Sequence, residues 1–444
     1  MVRSFEKKMS HVTELYKMVS NFHVPGSGDT DSGVPEFGFS PEVVLYPESV
    51  EEISRVLGFA SQKGIRVFPF AGGTKLFLGN PVCSVGAALS LKRLGRVLFH
   101  EPSDMVSTVE CGMEVREFQK AVGRENQLFP VDPPGLNSGA TVGGLVSTNL
   151  CGPMSTRYGT CRELILGIRA VRADGEIINL GGKVVKNVAG YDIPKLMAGS
   201  LGTLCVLVEA TFRLYPRQPS SRTLVLGFDN HVSCSQAARA IFAADVVPTC
   251  FEILDERLSS EFSAAPGAKR SVLLKFDSFE EAVIEQIKQV REITSGKSAS
   301  FVEMGDEDSR KLWDSAREFP FLSGASFSSK LTLPVTASIE ILSDIESNPA
   351  LSGVTVRCLS RPARGVALVS VSGEGEEAVI AARFLENLAD SLGGRIMFSG
   401  VRRELRERVK AWGDFGDALF LMKNIKRRFD PGNILPGEKI FDAD

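Results

Sequence analysis

Histidine and clustered cysteine are scarce in this chain of 444 residues. Its four histidines are His11, His23, His100 and His231, and none follows residue 231. Because histidine is the commonest general base and metal ligand, the C-terminal half is poor in the usual catalytic side chains. The eight cysteines never occur in a C-x-x-C spacing, which argues against a zinc ribbon or an iron–sulfur cluster. We therefore expect scattered reduced thiols and no metal site.

Other absences narrow the class of protein. Acidic residues number 54 and basic residues 51, so the basic excess that nucleic-acid binding needs is missing. No apolar run approaches the roughly 20 residues of a membrane-spanning helix, and the N-terminus has no apolar export signal. We expect a cytoplasmic protein, associated with a membrane only through partner subunits. The G-x-G-x-x-G and G-x-x-x-x-G-K-[ST] motifs are also absent, which argues against conventional NAD and ATP domains.

The length and the hydrophobic periodicity predict several units. Residues 1–39 read as an N-terminal helix and a polar loop, and residues 40–218 as strands and helices rich in glycine turns. Residues 219–395 alternate strands with long helices and predict an α+β domain with an antiparallel sheet. Residues 396–444 form a basic C-terminal segment that returns to the first domain.

Glycine is concentrated in one region. Residues 131–210 hold 13 of the 42 glycines. Since glycine costs conformational entropy, such density within strand-rich sequence indicates close approach of the backbone to a ligand.

Two glycine segments are suited to phosphate. The first runs from Phe70 to Lys75, where successive backbone amides of an A-G-G-T turn form a nest for phosphate oxygens. The second follows Asp132-Pro133-Pro134 and runs from Thr141 to Asn149. Thr141 is predicted to cap a short helix whose first amides face a pyrophosphate.

Two further segments follow in order, Tyr158-Gly159-Thr160-Cys161 and K-N-V-A-G-Y-D at 186–192, which leads to Gly199–Val206. Each of the four segments alone fits a plain packing turn. Their order across about 140 residues predicts one nucleotide-binding surface.

With these four segments, the chain resembles the vanillyl-alcohol oxidase / p-cresol methylhydroxylase family, on its glycolate oxidase and D-lactate dehydrogenase branch. The Gly152-Pro153 pair favours the smaller of the two flavin subunits of glycolate oxidase. The resemblance implies a two-subdomain FAD-binding domain of the vanillyl-alcohol oxidase type plus an α+β cap domain with an antiparallel sheet. It also implies FAD contacts from these residues: Phe70, Ala71, Gly72, Gly73, Thr74, Lys75, Pro134, Thr141, Gly143, Gly144, Ser147, Thr148, Asn149, Tyr158, Gly159, Gly199, Gly202, Val206 and Asn433.

Departures from the family pattern limit the chemistry. No histidine lies in the pyrophosphate turn, and Cys151 reads as a buried thiol, so FAD is expected to be non-covalent. The cap lacks the H-G-D-G-N-x-H motif of related 2-hydroxy acid dehydrogenases. Either Tyr191 or a cap carboxylate takes the hydroxyl proton, or the substrate is oxidised elsewhere, and we assign no catalytic residue. The cap cations that suit a substrate carboxylate are Arg317, Arg361, Arg364, Arg402, Arg403 and Lys330.

The sequence thus predicts an FAD-dependent subunit that oxidises a small 2-hydroxy acid, glycolate or D-lactate. Because the chain has no cluster-binding cysteines, its electrons must pass to an iron–sulfur partner, with a second flavin subunit beside it. Two alternatives stay open: a stand-alone FAD-dependent dehydrogenase or oxidase of another substrate, and a non-catalytic subunit that binds FAD within an assembly.

Overall fold

The computed structural model describes residues 11–25, 39–82, 84–183, 191–265, 267–320 and 324–441. The N-terminal domain begins with a four-stranded sheet in the order β1-β2-β4-β3, in which β2, β4 and β3 are parallel. These strands are β1 Phe22–His23, β2 Val43–Leu45, β3 Val67–Phe70 and β4 Ala87–Ser90. The helix Val50–Lys63 connects β2 to β3. Ser49 caps it by accepting a hydrogen bond from the Glu52 amide at 3.2 Å, and Gly64 ends it with a φ of 65°.

A second, antiparallel sheet completes this domain in the order β5-β6-β10-β8-β9. Its strands are β5 Val97–Glu101, β6 Val106–Glu110, β8 Ile165–Arg172, β9 Ile177–Gly181 and β10 Cys205–Arg213, and the short strands β7 Gln127–Leu128 and β11 Tyr215–Pro216 pair separately. The helices are Val115–Gly123, Val142–Thr148, Ser155–Tyr158, Cys161–Leu164 and Ile193–Met197. Strand β10 lies at the centre of the sheet, and the helix Val142–Thr148 packs against it.

The cap is built on one eight-stranded antiparallel sheet in the order β15-β12-β14-β13-β17-β18-β16-β19. Its strands are β12 Ser220–Phe228, β13 Cys250–Leu254, β14 Arg270–Ser278, β15 Ser300–Met304, β16 Phe327–Thr332, β17 Thr355–Arg361, β18 Val366–Ser372 and β19 Arg395–Ser399. Its helices are His231–Ala243, Glu256–Glu261, Glu280–Thr294, Asp306–Glu318, Val335–Glu346 and Gly375–Ser391. The α+β class with an antiparallel cap sheet is therefore confirmed.

Two apolar layers hold the cap together. On one face of the sheet, Phe228, Phe276 and Phe327 are fully buried in a core that also contains the alanine-rich face of the helix Gly375–Ser391. On the other face, the core includes Trp313 of the helix Asp306–Glu318. The helix Asp306–Glu318 ends at the boundary with the N-terminal domain. There the Gly135 amide donates a hydrogen bond to the Glu318 carboxylate.

The chain returns to the N-terminal domain after the cap. The helix Ala418–Phe429 is followed by a turn in which the Val67 amide donates to the Ile434 carbonyl at 2.8 Å. The Asn80 amide likewise donates to the Lys439 carbonyl at 3.0 Å. The last part of the described chain therefore forms part of the domain that begins the sequence.

The domain limits of 40–218, 219–395 and 396–444 stay predictions, and β19 carries the cap sheet past residue 395. The N-terminal residues 1–10, the polar loop at 26–38 and most of the K-N-V-A-G-Y-D segment lie outside the described residues. Of the helices that the structure does describe, none combines the length and the apolar character needed to cross a bilayer.

Candidate functional site

The turn after β3 forms one wall of a cleft. Gly72 approaches the loop before the helix Val142–Thr148 so closely that a Cβ atom there would lie 2.2 Å from the Gly139 carbonyl oxygen. The Gly72 amide lies 3.4 Å from Oγ1 of Thr141, and Gly73 has a φ of 74°. This turn therefore accepts no side chain at Gly72 without moving the backbone.

The helix Val142–Thr148 forms the opposite wall. Thr141 is its N-cap, as the sequence predicted, and its side chain accepts a hydrogen bond from the Gly144 amide at 3.3 Å. A Cβ atom on Gly143 would lie 2.9 Å from the Cys111 carbonyl oxygen, so glycine lets the helix lie against the strand ends. The other amides of the first turn are also engaged. Val142 and Gly143 donate to the Met113 and Cys111 carbonyls at 2.9 and 2.7 Å, and the Leu145 amide donates to the Thr141 carbonyl at 2.8 Å. The first turn therefore offers a ligand no unpaired backbone donor.

Between the two walls lies a cleft of about 520 Å³ that is open to solvent, and it shares lining residues with a second open cavity of about 310 Å³; both volumes include solvent space at the mouth. Predicted residues that line one or both cavities are Phe70, Ala71, Gly72, Gly73, Thr74, Lys75, Thr141, Gly143, Gly144, Ser147, Thr148, Gly202 and Val206. Most of the predicted contacts are thus brought together from three segments that are far apart in the chain.

The other predicted contacts lie around these cavities. Gly199 has a φ of 88° and donates its amide to the Val146 carbonyl at 3.0 Å. Asn149 ends the helix with a φ of 48°, and its Oδ1 accepts from the Arg162 amide at 3.1 Å. Asn433 has a φ of 48° in the C-terminal turn. The roles of these residues toward FAD stay predictions.

Tyr158, Gly159 and Pro134 are also placed by the structure. The Tyr158 ring packs edge-on against Tyr215 with 4.9 Å between ring centres, and its buried hydroxyl makes no hydrogen bond with the described chain. Gly159 ends the helix Ser155–Tyr158 with a φ of 81°. Pro134 is buried directly before Gly135 at the boundary with the cap. These three residues belong to the side of the site nearest the cap.

Lys439 is a cleft residue that the sequence reasoning missed. It is buried, and its ammonium donates to the carbonyl oxygens of Leu76 and Leu78 at 2.7 and 2.8 Å. Burial lowers its pKa to about 8. The available signal in this part of the sequence was Asn433, which the family resemblance implies as an FAD contact, but it does not point to the lysine six residues later.

Lys75 is a second cation beside the cleft. Its ammonium lies 3.2 Å from Thr74 Oγ1, and burial lowers its pKa to about 8, although the neighbouring carboxylate of Glu318 opposes that shift. Two lysines beside a glycine-walled cleft fit a diphosphate, whose oxygens accept hydrogen bonds and carry negative charge. The residues present therefore fit the pyrophosphate of FAD.

The boundary between the domains places charged side chains next to this cleft. The Gly135 amide donates to Glu318 Oε2 at 2.7 Å, and Glu318 Oε1 accepts from Arg317 Nε at 3.2 Å. Arg317 is 8% exposed and also pairs with Asp314 at 2.8 Å. Its remaining nitrogen, Nη2, is buried and has no hydrogen-bond partner within the described ranges. A buried guanidinium with a free donor is suited to an anion.

Lys330 of β16 is the second cation with free hydrogen-bonding capacity at this boundary. Its ammonium makes no hydrogen bond or ion pair with any residue of the described chain, and burial lowers its pKa. The charges of Arg361 and Arg364 lower its pKa further, whereas Cys151 opposes the shift. Lys330 therefore faces the same boundary as the cleft residues.

The remaining predicted cap cations are engaged in different ways. Arg361 is buried and binds Glu252, with 2.6 Å between Nε and Oε1. Arg364 lies 3.6 Å from Glu163, and Arg402 donates to the backbone carbonyls of Gly324 and Ala325. Arg403 is exposed. Of the six predicted cations, Arg317, Arg361 and Lys330 thus lie at the domain boundary with little access to solvent.

The candidate bases and covalent sites can also be placed. Tyr191 is 93% exposed, which argues against a base in a buried site. His100 lies on β5, with its Nε2 2.8 Å from Gln127 Oε1, and lines neither cavity. Burial raises the pKa of the Cys151 thiol to about 12, which opposes formation of the thiolate that a thioether bond requires. The seven cysteines among the described residues form no disulfide.

Comparison with known protein families identifies both domains. Residues 41–181 match the family described as FAD binding domain, and residues 217–319 match FAD linked oxidases, C-terminal domain. Both domains are those of FAD-linked oxidoreductases. This shows FAD as its cofactor and confirms the sequence expectation of a flavin enzyme.

Two curated relatives are similar over different lengths. The glycolate oxidase subunit GlcD of Bacillus subtilis is 26% identical over 428 residues, covering 92% of this chain and 91% of the relative. A D-lactate dehydrogenase of Archaeoglobus fulgidus is 33% identical over 284 residues, covering 62% of this chain and 63% of the relative.

Solved structures show the same fold. A p-cresol methylhydroxylase structure matches with a TM-score of 0.74 at 14% identity, covering 98% of this chain and 97% of the other. The 4-ethylphenol oxidase from Gulosibacter chungangensis matches with a TM-score of 0.72 at 17% identity, with the same coverage. The predicted architecture of the vanillyl-alcohol oxidase type is confirmed by these neighbours.

Proposed function

We propose that this flavoenzyme oxidises a small 2-hydroxy acid, glycolate or D-lactate, with non-covalently bound FAD. One observation supports the substrate class most directly: Arg317 and Lys330 reach the domain boundary next to the cleft with free hydrogen-bond donors. A carboxylate placed there gains charge-assisted hydrogen bonds from both cations. The names of the two curated relatives agree with such a substrate.

The chain's own groups divide the work between cofactor and substrate. The glycine turn, the helix Val142–Thr148, Lys75 and Lys439 hold the pyrophosphate. Arg317 and Lys330 hold and orient the substrate carboxylate. When bound, FAD supplies the two-electron acceptor for the hydride that leaves the substrate carbon.

Rapid mixing of the purified holoprotein with glycolate or D-lactate under anaerobic conditions tests this proposal. We expect the flavin absorbance at about 450 nm to bleach, and the released flavin to appear in the supernatant after acid precipitation. Lys330→Met should raise the substrate concentration for half-maximal reduction by at least about tenfold, as expected for a lost charged contact. Lys195→Met is the matched control, because Lys195 is half-exposed and pairs with Asp192 at 2.7 Å.

A purified holoprotein whose flavin stays oxidised with both acids would contradict the substrate assignment. Bleaching with equal substrate dependence in Lys330→Met and the wild type would contradict the carboxylate site.

We also propose that the electrons leave through an iron–sulfur partner, with a second flavin subunit in the same complex. Support comes from the cysteine spacing and from the Bacillus subtilis relative, which is named a subunit. The assignment to the smaller of two flavin subunits rests on the sequence alone. Co-expression with an adjacent reading frame rich in C-x-x-C should yield a complex that contains iron and acid-labile sulfide. If the isolated chain turns over with a soluble acceptor as fast as any complex does, the partner is unnecessary.

A further inference from the structure

Two carboxylates from different domains face one arginine at the domain boundary. Glu252 lies on β13 of the cap and is fully buried, whereas Asp132 lies in the N-terminal domain, in the loop after β7. Arg361, at the end of β17, binds Glu252 Oε1 and also donates from Nη1 to the Cys151 carbonyl oxygen at 3.0 Å. The Asp132 carboxylate packs against Gly152, next to the Cys151 carbonyl that Arg361 binds. Burial raises the pKa of Asp132, and the charge of Arg361 opposes that rise more than that of any other group. Two acids therefore share this one buried cation.

Each acid keeps one oxygen without a partner. Asp132 Oδ2 accepts a hydrogen bond from the Met154 amide at 3.2 Å, but Asp132 Oδ1 is buried and accepts none from the described chain. Glu252 Oε2 is likewise buried and unpartnered there. An ionised carboxylate with an unsolvated, unbonded oxygen is unfavourable, and binding a proton relieves it.

The charged surroundings favour one shared proton. Burial raises the pKa of Glu252 to about 7, against the pull of Arg361, and the charge of Asp132 adds to the rise. Burial raises the pKa of Asp132 to about 6, with Arg361 and Arg317 opposing it. From β14, Lys275 faces Asp132 but is held by Asp277 at 3.5 Å, and the neighbouring Cys250 is a buried thiol. Lys330 faces Arg361 from β16.

We propose that Asp132 and Glu252 form a coupled pair that takes up the proton released by the substrate hydroxyl group. This inference rests on the proposed oxidation of a 2-hydroxy acid. In that reaction the C–H bond breaks with both electrons going to the flavin as hydride, the O–H bond breaks with its proton going to the pair, and the C=O double bond forms. The pair starts with both acids ionised and ends with one of them protonated.

The placement of the pair suits this role. Arg361 acts on both acids and on Lys330, one of the two cations assigned to the substrate carboxylate, and Arg317, the other, acts on Asp132 directly. If Arg361 only joined the two domains by an ion pair, one carboxylate would be enough to neutralise it. A second buried carboxylate therefore calls for another role, and the cap has no histidine beyond His231 that could serve as the base.

The pH dependence of flavin reduction tests the pair. In the wild type, we expect the rate with D-lactate or glycolate to rise with pH up to between about 6 and 7 and then to level off. In Asp132→Asn the rise should move to lower pH, because Glu252 loses the negative charge that raises its pKa. The double variant Asp132→Asn/Glu252→Gln should lose the rise and react at least about 10²-fold more slowly at pH 8.

The control is Asp255→Asn. Asp255 is also buried with a pKa raised to about 6, but its oxygens accept from the Leu258 and Cys358 amides at 2.8 and 2.6 Å. This variant should lose stability and keep the wild-type pH dependence of reduction. Flavin content checks folding in every variant, and the single variants carry the test if the double variant does not fold.

A second readout needs no substrate. The folded protein keeps a proton on the pair that the unfolded chain has released, so this contribution to stability is present at low pH and lost as pH rises through about 6 to 7. The free energy of unfolding of the holoprotein should therefore fall from pH 5 to pH 8 more steeply in the wild type than in the double variant.

Parallel unfolding curves, or an unchanged pH dependence of reduction in the double variant, would overturn the inference. If neither glycolate nor D-lactate reduces the wild-type flavin at any pH, the proposed substrate class is wrong and the pair has no role in that reaction. The unfolding comparison then still decides whether the pair holds a proton.

Discussion

The amide of Gly135 donates to the carboxylate of Glu318 at 2.7 Å across the domain boundary. Glu318 also accepts from Arg317, so this contact connects the loop after Pro134 to a candidate substrate cation. The charge of Glu318 also raises the pKa of Lys75 beside the cleft. One carboxylate thus contacts the candidate substrate cation Arg317 and influences the cofactor lysine Lys75.

Glu318→Gln tests this shared carboxylate, because it keeps an oxygen acceptor for the Gly135 amide while removing the negative charge. We expect FAD binding to persist and the pKa of Lys75 to fall further, since the carboxylate that opposes its lowering is gone. The pH at which FAD affinity declines, measured by fluorescence titration, should move down. If the pH dependence of FAD affinity is unchanged in this variant, the charge of Lys75 does not contribute to FAD binding.

Gly72→Ala should prevent FAD binding. The new methyl group would lie 2.2 Å from the Gly139 carbonyl oxygen, so the backbone of one wall must move, at a cost of about 1–3 kcal/mol. Flavin content after purification and the free energy of unfolding measure the effect. Gly123→Ala is the control, since no atom lies within 4 Å of its added carbon and the helix should gain up to about 1 kcal/mol. Equal flavin content in the two variants would contradict the tight approach.

Thr141→Ala should weaken both the helix and cofactor binding. Loss of the cap on Gly144 costs about 1 kcal/mol and frees the first turn to move. Ser49→Ala removes an equivalent cap from the helix Val50–Lys63 and should cost similar stability without changing the FAD dissociation constant. If both variants bind FAD alike, the cap acts only on folding.

FAD affinity should decline as pH rises through about 8. Lys75 and Lys439 both have pKa values lowered by burial to about 8, so above this pH they lose the charge that attracts phosphate. Without FAD the sign reverses, because the unfolded chain binds these protons more strongly and apoprotein stability therefore rises from about pH 8 to pH 10. Lys75→Met should flatten both dependences, whereas Lys120→Met, at an exposed pair with Glu117, should leave them unchanged.

Lys426→Met should detach the C-terminal turn. The buried Lys426 ammonium pairs with Asp430 and donates to the Thr203 and Leu435 carbonyls at 3.0 and 3.2 Å. Removing it leaves a buried carboxylate, at a cost of about 3–5 kcal/mol. Denaturant unfolding should show this loss, together with weaker FAD binding through Gly202. Lys311→Met, at an exposed pair with Glu307, should cost no more than about 0.5 kcal/mol.

The cofactor cleft was largely accessible from the sequence because its signals are local. Glycine at Gly72, Gly143 and Gly202 is dictated by backbone geometry, and a capping threonine at Thr141 precedes its helix directly. Such constraints act over a few residues, so they are visible before the chain is folded.

The substrate side was accessible only as a list of cap cations. Whether Arg317, Lys330 or Arg403 faces the cofactor depends on strand order in the eight-stranded sheet, which no local pattern fixes. Asp132 and Glu252 come from different domains and were not singled out as acids. Lys439 enters the cleft through long-range pairing of the C-terminal segment, which sequence periodicity does not report.

The return of the C-terminal segment has a consequence for biosynthesis. Val67 and Asn80 on the cofactor side find their backbone partners in Ile434 and Lys439, which the ribosome adds only after the whole cap has been made. A nascent chain halted before them lacks these backbone partners of the cofactor side, and we therefore expect flavin loading to follow their synthesis.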